Sequence, residues 1–133
     1  MMDKMILDRI YSVAKKLSSD SKTQVGAGVI INNELIIGVN HLANTLPEYE
    51  ITNRTKLFYD TMIHAEIDLC MKIGGSLAGS TVYVTLFPCD NCAKRLISMG
   101  VKHIIVKEDR PNASYIIKAK ELLLAANITW ELV

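Results

Sequence analysis

The chain has 133 residues, half of them apolar, and a formal net charge of +1. This length predicts one domain, residues 1–133, which buries roughly two-thirds of its unfolded surface. The near-balance of charge argues against a protein whose main task is to bind nucleic acid or an anionic membrane, and the apolar runs are shorter than the ~20 residues of a membrane span. The opening Met1-Met2-Asp3-Lys4 is unlike a signal peptide, so we expect a cytoplasmic protein.

The first third of the chain predicts a helix followed by a β-hairpin. Residues 3–18 alternate apolar and charged positions with helical spacing, and the predicted inward face holds Met5 or Ile6, Ile10, Val13, Ala14 and Leu17. Two extended runs, Val25–Ile31 and Glu34–Asn40, flank the turn signal Asn32-Asn33. Residues 40–59 show no period and contain Pro47, which predicts a long loop, and such loops are usually functional.

The rest of the chain alternates helices and strands. Gly74-Gly75 and Gly100 are suited to end two of these helices, and Pro88 is suited to open one. The predicted elements are a helix over Met62–Ile73, a strand over Thr81–Leu86, a helix from Cys89 to about Met99, a strand over His103–Val106, a helix over Ser114–Ala126 and a strand over Ile128–Leu132. Helical crossovers imply parallel neighbouring strands. The predicted fold is therefore α/β, with a mixed five-stranded sheet between helices.

Two short motifs at the starts of predicted helices carry metal-binding chemistry. His64-Ala65-Glu66 is the first, and Pro88-Cys89-Asp90-Asn91-Cys92 is the second. Cys89 and Cys92 are three residues apart, so both thiols leave the same side of a first helical turn, whose partial positive charge favours thiolates. With the His64 imidazole they make three ligands and leave a fourth position for water, as in catalytic zinc sites. The sequence predicts one Zn²⁺ per chain.

Glu66 adds acid–base chemistry to the predicted metal site. It lies two residues after His64, where a carboxylate beside the metal's water can move protons without binding the metal. The pattern H-x-E…P-C-x-x-C is the signature of zinc-dependent nucleobase deaminases. The alternatives are a structural zinc site and an ordinary solvated acid in the first helical turn. The remaining side chains of interest are interpreted as a core cysteine, two surface or loop histidines and a sheet-packing tryptophan, which are Cys70, His41, His103 and Trp130.

The sequence around both motifs resembles the deoxycytidylate (dCMP) deaminase family. The segments that carry the resemblance are Ser21–Ala27, Gly38-Val39-Asn40, His64–Ile67 and Thr85–Lys94. The resemblance implies the three-layer α/β/α fold of cytidine deaminases and hydrolysis of dCMP to dUMP and ammonia. It also implies that His64, Cys89 and Cys92 bind the zinc and that Glu66 shuttles protons.

The resemblance further implies a set of substrate contacts and an assembly. Asn40 matches the family's sugar-binding asparagine, the backbone at Ala65 would read the pyrimidine, and Lys22 lies where the family places a basic residue near the 5′-phosphate, with Val25 beside it. The family forms homo-oligomers, often hexamers, and a chain this compact would suit a phage acting in its host's cytoplasm. No nucleic-acid or membrane partner is expected.

Two segments depart from the family's pattern. Asp68-Leu69 replaces Asn-Ala after the His-Ala-Glu motif, and His41-Leu42-Ala43-Asn44 replaces a glycine-rich stretch that helps regulated members bind a deoxynucleoside triphosphate.

Other substrates and one other class of protein remain open. The substrate could be a different nucleoside, a free base or an RNA base, although a charge of +1 does not suit tRNA editing. Cytidine deaminases of the nucleoside class usually have Cys where this chain has His64. A non-catalytic zinc module that binds nucleotides or a partner is disfavoured by Glu66.

Overall fold

A computed structural model of the protein describes residues 2–43 and 60–133. In chain order the elements are α1 (Met2–Leu17), β1 (Gly26–Ile31), β2 (Glu34–Val39), β3 (His41–Leu42), β4 (Met62–Ile63), α2 (Ala65–Ile73), β5 (Thr81–Leu86), α3 (Asp90–Ser98), β6 (His103–Glu108), α4 (Ser114–Ala125) and β7 (Thr129–Leu132). Most of the predicted loop over 40–59 lies outside the described residues. No helix within the described ranges is both long and apolar enough to cross a membrane.

The strands form the predicted mixed sheet of five, in the order β2-β1-β5-β6-β7. β1 pairs antiparallel with both β2 and β5, and β6 pairs parallel with β5 and β7. The predicted hairpin is confirmed, since Ile31 pairs with Glu34 across Asn32 and Asn33, whose φ angles are 52° and 65°. Positive φ at both central residues is typical of the tight turn that matches the twist of a hairpin.

Helices cover both faces of the sheet, as predicted. On one face, Leu7 and Ile10 of α1 pack against Tyr83 of β5 and Ile105 of β6. On the other face, α2, α3 and α4 bury the larger core, to which they contribute Leu69, Leu96 and Ile116. Val82 and Val84 lie in this larger core, whereas Tyr83 between them faces α1. This alternation follows the two-residue repeat of a strand and makes β5 the centre of the molecule.

Some side chains that the periodicity placed inward are exposed. The buried stripe of α1 is Leu7, Ile10 and Ala14, whereas Met5 and Leu17 are exposed. Ile116 of α4 is buried as predicted, but Ile117 is exposed. In both helices only some of the apolar residues are buried, because a helix packed on a sheet buries just the stripe of side chains that faces the sheet.

The predicted starts of two helices were wrong, and both errors affect the site. Met62–Ile63 is a short strand that pairs antiparallel with β3, and α2 begins only at Ala65. Cys89 likewise precedes α3, which begins at Asp90. A strand of only two residues is too short to show a periodic pattern in the sequence, so the strand at Met62–Ile63 could not be predicted. His64 and Cys89 therefore occupy the N-cap positions of α2 and α3, and both have extended backbone angles.

We expect Gly38→Ala to destabilise the fold, because β2 passes directly under α2 at this glycine. A Cβ at residue 38 would lie 2.5 Å from the Ala65 carbonyl oxygen and would also overlap the Leu69 backbone nitrogen. Overpacking of this kind costs about 1–3 kcal/mol, and backbone neighbours cannot rotate away. Urea unfolding measures the loss. Gly75→Ala is the control, since nothing lies within 4 Å of that position, and equal midpoints for both variants would contradict the close approach.

Candidate active site

His64 and Cys89 occupy equivalent positions at the N-termini of α2 and α3. Their carbonyl oxygens accept the first helical hydrogen bonds, from Asp68 N at 2.9 Å and from Ala93 N at 2.8 Å. Neither side chain caps its own helix. Both side chains are therefore available beyond the helix ends, where unpaired N–H groups make the surroundings electropositive.

The structure brings the three predicted metal ligands together. His64 Nδ1 lies 3.3 Å from Cys92 Sγ and 3.6 Å from Cys89 Sγ, and the three ligand atoms lie within 4.8 Å of one another. In a tetrahedral zinc site with Zn–S near 2.3 Å and Zn–N near 2.0 Å, nitrogen and sulfur ligands lie roughly 3.5 Å apart. The donor set and spacing therefore fit zinc. Within the described parts of the chain no fourth His, Cys, Asp or Glu joins this group, which leaves a position open.

The two thiols of the site differ in their readiness to ionise. A hydrogen bond from Cys92, supported by one from His64, lowers the pKa of Cys89 to about 4 although partial burial opposes this. The same Cys89–Cys92 contact, together with burial, raises the pKa of Cys92. Hydrogen bonding to Cys89 also raises the pKa of His64. Cys89 is thus the first thiol to become a thiolate, the form that binds metals.

Glu66 is the buried acid of the site. Only 4% of its surface is exposed, and this burial raises its pKa to about 7, against the opposing effects of a hydrogen bond from its own backbone N–H and of the nearby His64. A carboxyl group with a pKa near the working pH both accepts and donates protons readily. A pKa of about 7 suits the proton-transfer role that the sequence predicts for Glu66.

These groups line one cavity of about 490 Å³. Of the predicted site residues it contains His64, Ala65, Glu66 and Cys89, together with Asn40 and Val25. Cys92 is fully buried and does not line the cavity. The further lining residues, which the sequence analysis did not single out, are Asp20, Thr23, Met62, Leu86, Phe87, Asp90, Arg110 and Tyr115. Lys22 does not line this cavity but lies on a smaller one beside it.

Arg110 and Tyr115 are the most informative of the missed residues. They come from the segment between β6 and α4 and from the first turn of α4. In parallel α/β sheets, ligands bind beyond the carboxyl ends of the strands. The loop that follows the predicted strand at His103–Val106 therefore carried a signal for these residues.

Asn40 lines the cavity and holds neighbouring segments together through its side-chain amide. Its Oδ1 accepts hydrogen bonds from Val25 N at 2.9 Å and Ser18 Oγ at 2.6 Å, and its Nδ2 donates to Thr23 O at 2.9 Å. These bonds tie the segment between α1 and β1 to the end of β2. An amide has a second N–H, and among the described residues the side chain donates only to Thr23, so its second N–H is placed to meet a ligand.

We expect Asn40→Ala to destabilise the fold by about 1–3 kcal/mol, because it leaves polar groups of the α1–β1 segment without their hydrogen-bond partner. Urea unfolding of the variant measures this cost. Asn112→Ala removes the same side chain at an exposed position and should unfold like the parent. Equal stability of the two variants would show that Asn40 does not hold this segment.

The two departures from the family pattern contact each other. Asp68 is buried on α2 and accepts hydrogen bonds from Val39 N at 3.0 Å and His41 Nε2 at 3.0 Å, and Lys72 Nζ lies 3.3 Å away. Burial alone would raise the pKa of Asp68, but these three partners outweigh it and hold the pKa below its usual value. His41 is half-buried on β3, which corrects its interpretation as a surface or loop residue. The pair ties β3 to the helix that carries Glu66.

Taken together, the geometry is that of a catalytic zinc centre. Two helix N-termini bring an imidazole and two thiols together, the residues that the structure describes supply no fourth ligand, and a buried carboxyl with a pKa of about 7 lies close by. Structural zinc sites instead close with four protein ligands. Three protein ligands with a further position left open are the arrangement found in catalytic zinc sites.

Comparison with known protein families identifies the family of this chain. Residues 2–108 match the family model of the cytidine and deoxycytidylate deaminase zinc-binding region. The chain belongs to this family. The match spans His64, Cys89 and Cys92, and with the geometry of these residues it confirms the prediction of one zinc ion.

The similar curated proteins include two mammalian deoxycytidylate deaminases. The mouse protein is 33% identical and the human protein 32% identical, each over 115 residues and 80% of this chain. The chain spans about 65% of the length of each.

Among solved structures, the dCMP deaminase of the cyanophage S-TIM5 is similar over nearly its whole length. Its apo form matches with a TM-score of 0.76 and 20% identity, over 99% of this chain and 97% of that chain. The same protein has been solved in complex with dCMP and dUMP. This likeness confirms the predicted cytidine-deaminase-like fold.

Proposed function

We propose that this chain catalyses the zinc-dependent hydrolysis of dCMP to dUMP and ammonia. The observation that carries the proposal is that His64, Cys89 and Glu66 line the same cavity, with the Cys92 thiol 3.3 Å from His64 Nδ1. The names of the mammalian relatives and the nucleotides bound to the cyanophage protein support dCMP as the substrate.

Glu66 would carry the protons of this reaction. Zinc held at His64, Cys89 and Cys92 would supply a Lewis acid and lower the pKa of a bound water toward ~7. Glu66 takes one proton from the attacking water and delivers it to N3 of the pyrimidine, and a C4–O bond forms. Glu66 then takes the second proton of that water to the amino group, the C4–N bond breaks and ammonia leaves. One water is consumed, and a pKa of about 7 suits both transfers.

Other groups of the cavity would hold the nucleotide. Ala65 is the first residue of α2, so its backbone N–H has no partner within the helix and can donate to the pyrimidine oxygen. The second N–H of Asn40 is available to a sugar hydroxyl. Met62, Leu86 and Phe87 provide apolar walls for the base.

Ultraviolet absorbance distinguishes dCMP from the other substrates. Zinc-loaded protein is mixed separately with dCMP, deoxycytidine, cytosine and dCTP, and loss of cytosine absorbance is followed. We expect rapid loss with dCMP. No loss with any of the four, despite one bound zinc per chain, would overturn the substrate assignment and direct attention to RNA and purine bases. That result would instead favour the alternative hypothesis of a non-catalytic zinc module.

We also propose that the chain forms a homo-oligomer and acts in the cytoplasm. Exposed apolar side chains on α1 and α4, among them Met2, Met5, Ile117 and Leu124, offer surface for subunit contacts. Three unpaired cysteines suit a reducing compartment. Light scattering after size-exclusion chromatography tests the assembly, and a monomer at micromolar concentration would contradict it.

A further inference from the structure

Asp68 is a buried acid that lies outside the cavities of the site. Only 6% of its surface is exposed, and it lines neither the cavity of the metal ligands nor the smaller one beside it. It belongs to the first turn of α2, two residues after Glu66, and its backbone N–H donates to His64 O at 2.9 Å. Burial of a carboxylate costs free energy unless several partners compensate for it. The partners of Asp68 therefore indicate which parts of the molecule it connects.

The two carboxylate oxygens of Asp68 hold the residues on either side of Asn40. Oδ2 accepts a hydrogen bond from Val39 N at 3.0 Å, and Oδ1 accepts one from His41 Nε2 at 3.0 Å. The other ring nitrogen of His41, Nδ1, lies 2.7 Å from Leu42 O, which fixes the orientation of the ring. Because Asn40 lies between these two contacts and lines the cavity, one side chain of α2 fixes the chain on both sides of it.

The contact with Val39 depends on the place of β2 at the edge of the described sheet. There β2 pairs only with β1, so the N–H and C=O groups on its other side face away from the sheet. Side chains of α2 supply partners for these groups, since Asp68 accepts from Val39 N and Lys72 Nζ donates to Ile37 O at 2.9 Å. Lys72 Nζ and Asp68 Oδ2 lie 3.3 Å apart, four residues apart on the helix. One turn of α2 is thus bonded along the edge of β2.

The hydrogen bonds of Asn40 itself lead to a different part of the molecule. Among the described residues they all go to the segment between α1 and β1, at residues 18–25. None of them reaches α2, the helix of Ala65 and Glu66. Asp68 supplies the hydrogen bonds between α2 and the two residues that flank Asn40. It therefore joins two walls of the cavity that are otherwise held by separate contacts.

We propose that Asp68 is a positioning residue of the active site, which holds Asn40 at a fixed position relative to Glu66. In that arrangement the sugar of a nucleotide meets the second N–H of Asn40 while its base meets Ala65 and Glu66. The proposal rests on the proposed function and deepens it, because it names the contact that sets the distance between the sugar and base ends of the site. Asp68 lines no cavity, so its effect on the substrate passes through Asn40.

Selectivity for the sugar hydroxyl tests the proposal. dCMP has one free sugar hydroxyl, at C3′, which 2′,3′-dideoxycytidine 5′-monophosphate lacks. The ratio of kcat/KM for dCMP to that for the dideoxy nucleotide therefore reports the contact of the sugar with Asn40. Asp68→Ala should lower this ratio by about threefold or more, a coupling usual between residues of one hydrogen-bond network.

Asn40→Ala, measured in parallel, gives the ratio without the sugar contact, and Asp68→Ala should move toward that value. A general loss of stability lowers the activity on both nucleotides equally and leaves the ratio unchanged. A fall of less than about threefold in Asp68→Ala would therefore overturn the proposal.

Three further variants separate positioning from stability. Asp68→Asn keeps the shape, with an oxygen that accepts from Val39 N and an N–H that donates to neutral His41, so it should restore the ratio. Lys72→Met breaks bonds of the same cluster, but neither of those that flank Asn40, and should keep the parent's ratio. His41→Ala removes one flanking bond and should lower the ratio less than Asp68→Ala does; it carries the test if Asp68→Ala does not fold. A ratio lowered by Lys72→Met, or left low by Asp68→Asn, would contradict the proposal.

The side-chain amide signals of Asn40 separate this proposal from the proposed function. In ¹H–¹⁵N spectra these signals report the surroundings of Asn40 without any deamination. Signals that are displaced in Asp68→Ala and return toward the parent's positions in Asp68→Asn support the positioning role, even if no cytosine compound is deaminated and the proposed function fails. Signals that Asp68→Ala leaves at the parent's positions overturn it, even if dCMP is deaminated.

Discussion

Replacing Glu66 with Gln should abolish deamination and leave one zinc bound per chain. Glutamine has nearly the same shape and remains uncharged, so the buried position accepts it without desolvating a charge. It cannot take up a proton, however, and general acid–base catalysis contributes roughly 10²–10⁴-fold to a rate. Because Glu66 is proposed to act in both proton transfers, we expect kcat for dCMP to fall by a factor in the upper part of this range. Absorbance assays measure kcat, and elemental analysis measures zinc.

Two results would contradict the role of Glu66. Full activity of Glu66→Gln would show that another group carries the protons. Loss of zinc together with loss of activity would show that Glu66 is needed to hold the metal, which contradicts a role confined to proton transfer. Glu121→Gln is the matched control, since Glu121 is exposed on α4 and outside both cavities. It should keep both activity and zinc.

The parts of the fold that the sequence predicted correctly depend on local signals. The hairpin follows from Asn32-Asn33, which accept positive φ between two extended runs. The parallel half of the sheet follows from the alternation of strands and helices after Thr81. The β3–β4 pair was missed because it joins residues 41–42 to residues 62–63, and nothing in either dipeptide specifies the other.

The residues of the site also fall into a group that the sequence predicted and a group that it did not. His64, Glu66, Cys89 and Cys92 belong to two compact motifs, so their types and spacing predict the chemistry before the fold is known. The walls of the cavity come from segments far apart in the chain. Arg110 lines the same cavity as Thr23 and Leu86, because β6, which precedes Arg110, pairs with β5, which ends at Leu86. The resemblance therefore pointed to Lys22 as a residue near the phosphate, whereas no motif singled out Arg110, which lines both cavities.

Replacing Cys92 with Ser should remove zinc from the protein. A hydroxyl is a far poorer ligand for zinc than a thiolate. We expect the zinc affinity to fall by more than the roughly 10–100-fold that loss of an outer hydrogen-bond partner of a ligand costs. Because Cys92 is fully buried whereas Cys89 is half-buried, the change at residue 92 also replaces a buried thiol with a hydroxyl, which costs more to remove from water. Cys92→Ser should therefore be less stable than Cys89→Ser, although both lose zinc.

Cys70 provides the control for this experiment. It is buried in the core, away from the ligand group, so Cys70→Ala should keep one zinc per chain. Since zinc binds the folded chain and stabilises it in proportion to its affinity, a chelator should lower the unfolding midpoint of the parent and of Cys70→Ala but leave Cys92→Ser unchanged. A Cys92→Ser variant that still binds zinc tightly, or whose midpoint the chelator lowers as much as the parent's, would show that His64, Cys89 and Cys92 are not the set of ligands that holds the metal.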